Sequence, residues 1–312
     1  MNGRWLIPAG ALVSLLPWTG SAAALLLGAA IAIVAGNPWA ATTRGIQKKL
    51  LPASVVGLGA AMNLGVVLRT GMQGFAETIA SITFTLALGL LLARWLRVAG
   101  NTGTLISVGT AICGGSAIAA AGPVLRAEEH EMTVSLGTVF ILNGIALVAF
   151  PPIGRLAGLG QEAFGTWAAL AIHDTSSVVG AGLAYGPRAL EVGTTVKLVR
   201  ALWIVPLVLA LGAWHRRGGG EGAAAAPRPW FILGFLAMAA VVTWVPALQP
   251  AGRVVAAVAR QALVLTLFLV GAGLSRDALR RVGVRPFLLG SLLWVIVAVV
   301  MLAAVRWGHG HG

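Results

Sequence analysis

The chain has 312 residues, 58% hydrophobic and only 10% charged, where soluble domains carry about a quarter charged residues. So little polar surface excludes a protein that faces water on all sides. The formal charge of +13 would suit nucleic acid, but the basic residues are scattered between apolar runs and line no single face, so no nucleic-acid partner is expected and membrane topology explains them better.

Arg4 followed by the apolar stretch Trp5–Leu16 imitates a signal peptide. More hydrophobic segments follow, so it reads as a retained first segment, either a short span or a helix lying at the interface. Ten further segments follow at 19–36, 50–69, 73–93, 104–122, 132–151, 165–185, 190–213, 230–246, 261–275 and 286–305. They approach the roughly 20 residues that cross a bilayer core. The expectation is an all-α, polytopic, multi-pass membrane protein of about 10–11 transmembrane helices, a single domain over 1–312. Loops are brief. The most polar connection, "HRRGGGEGAAAAPRP" (His215–Pro229), reads as a flexible linker between two helix bundles, at about 214–229. The single Cys113 excludes an internal disulfide.

Lysine and arginine give the orientation. Loops on one side hold Arg44, Lys48, Lys49, Arg94, Arg97, Arg155, Arg216, Arg217, Arg228, Arg276, Arg280, Arg281 and Arg285. The other side holds Arg4, Arg69, Arg126, Arg188, Arg253, Arg260 and Arg306. The richer side is expected to be cytoplasmic, with the C-terminus outside.

Two segments have an unusual interior. "CGGSAIAA" (Cys113–Ala120) places adjacent glycines and a serine in an uncharged stretch, where glycine costs about 1 kcal/mol against alanine and a pair invites a break. A break inside a bilayer is tolerable only against protein or a wet cavity. The half-helix that follows then offers free N–H groups and partial positive charge to an anion, with Gly114, Gly115 and Ser116 as the cradle. The alternative is that these small residues let helices pack closely. "AIHDTSSVVGAG" (Ala171–Gly182) sets His173, Asp174, Thr175, Ser176 and Ser177 in apolar surroundings. An intramembrane acid usually faces a pathway or a partner. Asp174, with His173, is the candidate for the coupling ion or proton; the alternative is that Asp174 pairs with a cation to hold two helices.

In the next segment Lys197 and Arg200 are three apart and share a helix face. They contact an anionic substrate, pair with Asp174, or snorkel to an interface. Asn63 and Asn143 read as polar contacts between helices. Glu77 reads as an end charge, and the terminal "HGHG" as a loose tail; no metal site is expected.

Internal likeness comes next. "LGAAMNLGVVLRTGMQGF" (Leu58–Phe75) reads like "LVGAGLSRDALRRVGVRPF" (Leu269–Phe287), and "ICGGSAIAAAG" (Ile112–Gly122) like "IHDTSSVVGAG" (Ile172–Gly182). Duplicated halves, roughly 19–151 and 165–305, are expected, as in secondary transporters with broken helices.

"LISVGTAICGGSAIAAAGPVLRAEE", "FGTWAALAIHDTSSVVGAGLAYGPRAL", "TVKLVRALWIVPLV" and "LFLVGAGLSRDALRRVGVRPFLLGSLLW" closely resemble the YeiH-like family of bacterial membrane proteins, named for sulfate export. The likeness runs from about Leu25 to Trp307. The family is similar to transporters of the sodium–proton antiporter and bile-acid symporter type. This implies two inverted structural repeats, crossing broken helices, and a core moving against a scaffold. Carried over by position, the signature residues are Gly114, Gly115, Ser116, His173, Asp174, Ser176, Lys197 and Arg200. The expected function is a secondary active transporter of a small anion, sulfate or an organic sulfonate, coupled to H+ or Na+ in the bacterial inner (cytoplasmic) membrane, with room for a homo-oligomer. No nucleotide-binding loop and no HExxH motif is present. The alternatives are an intramembrane enzyme using His173, Asp174 and Ser176, or an anion channel.

Overall fold

A computed structural model describes residues 3–16, 18–217, 230–274 and 283–309. Residues 218–229, which include most of the expected linker, residues 275–282 and the residues after His309 lie outside the described residues. The described chain forms helices and no strand. That suits a lipid environment, in which each backbone group must find its partner inside the protein.

In chain order the helices are α1 (Gly3–Ser14), α2 (Ser21–Ala35), α3 (Ala40–Leu58), α4 (Leu64–Trp95), α5 (Thr102–Ala111), α6 (Gly115–Val124), α7 (Glu129–Leu156), α8 (Gln161–Ala171), α9 (Thr175–Tyr185), α10 (Pro187–Leu202), α11 (Ile204–Arg217), α12 (Trp230–Trp244), α13 (Gln249–Ala272) and α14 (Val284–His309). Among the described residues, five stretches are long and apolar enough to cross a membrane: Thr78–Trp95, His130–Leu156, Pro187–Ala213, Pro246–Ala272 and Val284–Trp307. The other expected segments are shorter helices or pairs of half-helices. The protein is a polytopic helical membrane protein.

Two expected boundaries move. The segment at 50–69 is interrupted: α3 ends at Leu58, a 3-10 turn covers Gly59–Ala61, and α4 starts at Leu64. Asn63 is exposed and accepts the Gly65 N–H at 2.9 Å, so it caps α4. Arg44, Lys48 and Lys49, expected in a loop, lie within α3. The turn between α10 and α11 precedes Pro206, which has no N–H to give the Leu202 carbonyl.

Packing divides the helices into two bodies drawn from both ends of the chain. In one, α13 lies along α2 and α3, with α1 and α12 at its sides. In the other, α10 packs against α8, α9 and α4, and α5, α6, α7, α11 and α14 complete the bundle. Glycines bring α2 and α13 together: a Cβ on Gly28 would collide with the Phe268 carbonyl, and one on Gly271 with that of Leu25. Between the bodies, α9 meets α2 and α13, and α4 meets α12. The Ser21 hydroxyl donates to the Gly180 carbonyl at 2.8 Å, and the Leu64 N–H to the Thr243 hydroxyl at 2.9 Å.

Candidate functional site: two broken helices that meet

The first break lies at Ile112–Gly114, between α5 and α6. Gly114 has φ 61° and ψ −122°, a conformation that only glycine adopts without strain. Its N–H donates to the Gly109 carbonyl at 2.8 Å, which closes the end of α5. A Cβ here would stand 3.1 Å from Val139 of α7 and 3.5 Å from the carbonyl carbon and oxygen of His173. The two breaks thus lie within van der Waals reach of each other, with Val139 the tighter neighbour.

The second break lies at Ile172–Asp174, between α8 and α9. Asp174 is extended (φ −102°, ψ 145°) and is the N-cap of α9: its carboxylate accepts the Ser176 N–H at 3.1 Å and the Ser176 hydroxyl. Its own N–H donates to Asn143 Oδ1 on α7 at 3.2 Å. Asn143 thus serves as a polar contact between helices, at the break itself.

Lys197 and Arg200 both point into this crossing from α10, each with 0% exposure. Lys197 Nζ donates to the carbonyls of Ile172 (2.6 Å) and Ala169 (3.2 Å). Arg200 Nε donates to the Ala111 carbonyl at 2.8 Å, and Nη1 to that of Leu170 at 2.9 Å. Snorkelling is therefore ruled out by their burial. Asp174 is not their ion-pair partner either: its carboxylate bonds Ser176, and the two cations bond backbone carbonyls. The two cations cap the C-terminal ends of α5 and α8, whose last carbonyls have no partner within the helix.

The electrostatic result follows from helix polarity. A broken helix sets a negative C-terminal end opposite a positive N-terminal end, each equivalent to about half an elementary charge. Lys197 and Arg200 offset the two negative ends, and Asp174 offsets the positive end of α9. The N-terminus of α6, with Gly114 as N-cap, has no side-chain cap. Beside it Gly115 is partly exposed and Ser116 exposed, while Asp174 is partly exposed on the other break. The arrangement sets the N-termini of two half-helices and the side chains of Lys197 and Arg200 close together, which suits an anion.

Several buried polar atoms here have no hydrogen-bond partner: both ring nitrogens of His173, the Ser177 hydroxyl, Asn143 Nδ2 and Arg200 Nη2. Thr175 and Ser176 are also buried. Thr110 in α5 and Thr194 in α10 were not anticipated as site residues. Their hydroxyls are likewise buried and unpartnered, one at the residue before Ala111 and one a turn before Lys197. The adjacent threonines in "GTTVK" were the available signal.

Residues 9–290 match the family described as conserved hypothetical protein 698. A UPF0324 membrane protein of Bdellovibrio bacteriovorus is 55% identical over 97% of this chain and 94% of its own length. A second, from Geobacter sulfurreducens, is 49% identical over 93% and 92% respectively. A third, from Porphyromonas gingivalis, is 50% identical over 92% and 87%. No solved structure matches the chain.

Proposed function

This chain belongs to the conserved hypothetical protein 698 family of UPF0324 membrane proteins, and from that premise we propose that it is a secondary active transporter of a small anion, with sulfate or an organic sulfonate as the substrate class. The observation that carries the reading is the contact between the two breaks, Gly114 against the backbone of His173. Two half-helix N-termini converge there, and the opposing C-terminal ends are already neutralised by Lys197 and Arg200. Partial positive charge is thus left for an oxyanion, which binds where the N-termini of α6 and α9 meet, between Gly115–Ser116 and Ser176. Lys197 and Arg200 act on it through the low-dielectric interior without touching it.

Asp174, with His173 beside it, carries the coupling proton or Na+. The two bodies, joined at a seam of α2, α13 and α9, move against each other so that the crossing opens to alternate sides. The protein sits in the bacterial inner membrane, with the arginine-rich loops in the cytoplasm and the C-terminus outside.

An enzyme of the nucleophile-and-base type needs its histidine within reach of the serine. The Ser176 hydroxyl instead donates to Asp174, and neither nitrogen of His173 has a hydrogen-bond partner. This favours a carrier. Purified protein in proteoliposomes tests it: a carrier gives saturable counterflow of labelled sulfate or methanesulfonate. Unsaturable conductance would assign a channel, and substrate turnover without flux an enzyme.

A further inference from the structure

We propose that the Asp174 carboxylate is a built-in occupant of the oxyanion site at the N-terminus of α9, which the substrate displaces, so that one proton enters the crossing with each anion. This rests on the transporter reading above and adds to it how Asp174 and the anion compete for one set of donors, and with what stoichiometry.

The two half-helices α6 and α9 begin side by side, yet their ends differ. Gly114 gives α6 no side-chain cap. At α9 the Ser176 N–H and hydroxyl, the groups an incoming anion would use, already serve a carboxylate from the same chain. Around that carboxylate stand donors it does not satisfy. Asn143 is 2% exposed; its Oδ1 receives the Asp174 N–H, so its amide lies at this helix end, and its Nδ2 has no acceptor. Ser177, in the first turn of α9, is 1% exposed and its hydroxyl is also unpartnered. Buried donors without acceptors are costly and ask for an explanation. A ligand with more acceptor oxygens than one carboxylate would satisfy them.

An anion cannot enter beside an ionised Asp174 without strong like-charge repulsion in a poorly screened interior. Protonation of one carboxyl oxygen removes that repulsion and weakens Asp174 as an acceptor. The Ser176 groups, the Asn143 amide and the Ser177 hydroxyl then turn to the anion. On release the carboxyl returns its proton and resumes the cap. No covalent bond other than the O–H is made or broken.

The titratable and charged neighbours of Asp174 are few. His173 precedes it, Cys113 faces it from the first break, and Lys197 and Arg200 come from α10. Of the other helices packed on α9, α2 carries no charged residue. Those of α7 are Glu129, His130, Glu131 and Arg155, at its two ends. Glu162 in the first turn of α8 is exposed and pairs with Arg188, and Arg253 and Arg260 of α13 are exposed.

The test is anion binding by the full-length protein in detergent, read as thermal stabilisation by sulfate and by methanesulfonate across roughly pH 5 to 8. Wild-type protein is expected to lose affinity toward alkaline pH, by up to about tenfold per pH unit for one linked proton. Asp174→Asn keeps a capping side chain without the charge, and its affinity should be flat across that range. Calorimetry of the wild type in buffers of different ionisation enthalpy gives an independent reading: uptake of one proton per anion on the alkaline side. A pH-independent wild type with no proton uptake overturns the proposal. So does Asp174→Asn that keeps the pH dependence, which would move the proton to His173. If neither protein is stabilised by either anion at any pH, the anion-transport reading itself falls, and this proposal with it.

Discussion

Arg200 shows what one side chain does at the crossing and how little of it a linear reading could supply. That Lys197 and Arg200 share a face was evident from their spacing of three. Their acceptors were not: the Ala111 carbonyl is 89 positions from Arg200 in the chain, and the Leu170 carbonyl 30. Backbone carbonyls also carry no residue-type signature, so the partners that the sequence offers these cations are an anionic substrate, the visible acid Asp174 or an interface. The role of Asp174 was closer to hand, since an acid followed by Thr-Ser-Ser at the start of a helix is an N-cap pattern. Arg200→Ala would strand two buried carbonyls and is expected to destabilise the fold by about 2–5 kcal/mol, at roughly 1–3 kcal/mol for each acceptor left unsatisfied. Arg200→Lys should fall between, because an ammonium cannot span both carbonyls as the guanidinium fork does. Denaturant unfolding in detergent measures both; an alanine variant as stable as wild type would mean that the carbonyls have other partners. Gly114→Ala is expected to cost about 1–3 kcal/mol, from the positive φ and the crowding by Val139 and His173.

At the scale of elements, the break that the glycine pair foretells is present, and a second lies where the Asp-Thr-Ser run starts α9, because local chemistry decides both. The break between α3 and α4 is hidden in one expected span, 50–69, although Asn63 and the glycines at 57, 59 and 65 offer a cap and weak helix formers. Hydropathy averages over such a turn when both flanks are apolar. The contact between α2 and α13 is a different case. Its glycines look like any others in a chain with 42 of them, and only the packing singles out Gly28 and Gly271. In each, the hydrogen faces a carbonyl of the other helix, so even a methyl group forces backbone apart. Gly28→Ala and Gly271→Ala are each expected to destabilise by roughly 1–3 kcal/mol, the cost of overpacking a tight contact. Gly45→Ala in α3, where nothing stands within 4 Å, should be neutral or gain up to about 1 kcal/mol from helix propensity. Thermal unfolding of the three variants separates a packing effect from a general glycine effect. Equal losses in all three would remove the special standing of the α2–α13 contact.

For the whole molecule, the two bodies do not follow chain order: α2 and α3, near one end, share a body with α12 and α13, near the other. The expected halves, 19–151 and 165–305, each contribute helices to both bodies, an interleaving that no local pattern announces. Transport by alternating access requires these bodies to move at the seam where α2 and α13 meet α9. The seam carries a built-in gauge, since a Cβ added at Gly180 would lie 3.5 Å from the Ser21 Cβ. A disulfide needs Cβ atoms about 3.5–4.5 Å apart, so the pair Ser21→Cys and Gly180→Cys should cross-link on mild oxidation. The new side chain at 180 displaces only the ends of Leu147 and Leu267, which are flexible, and Cys113 is buried and does not compete. The oxidised double variant is expected to lose labelled-sulfate counterflow and regain it with a reductant, while each single variant keeps it under both conditions. A cross-linked protein that still exchanges sulfate at the wild-type rate would show that this seam stays closed throughout the cycle. Movement would then have to be confined to the bundle around α10, where Arg200 holds the ends of both broken helices.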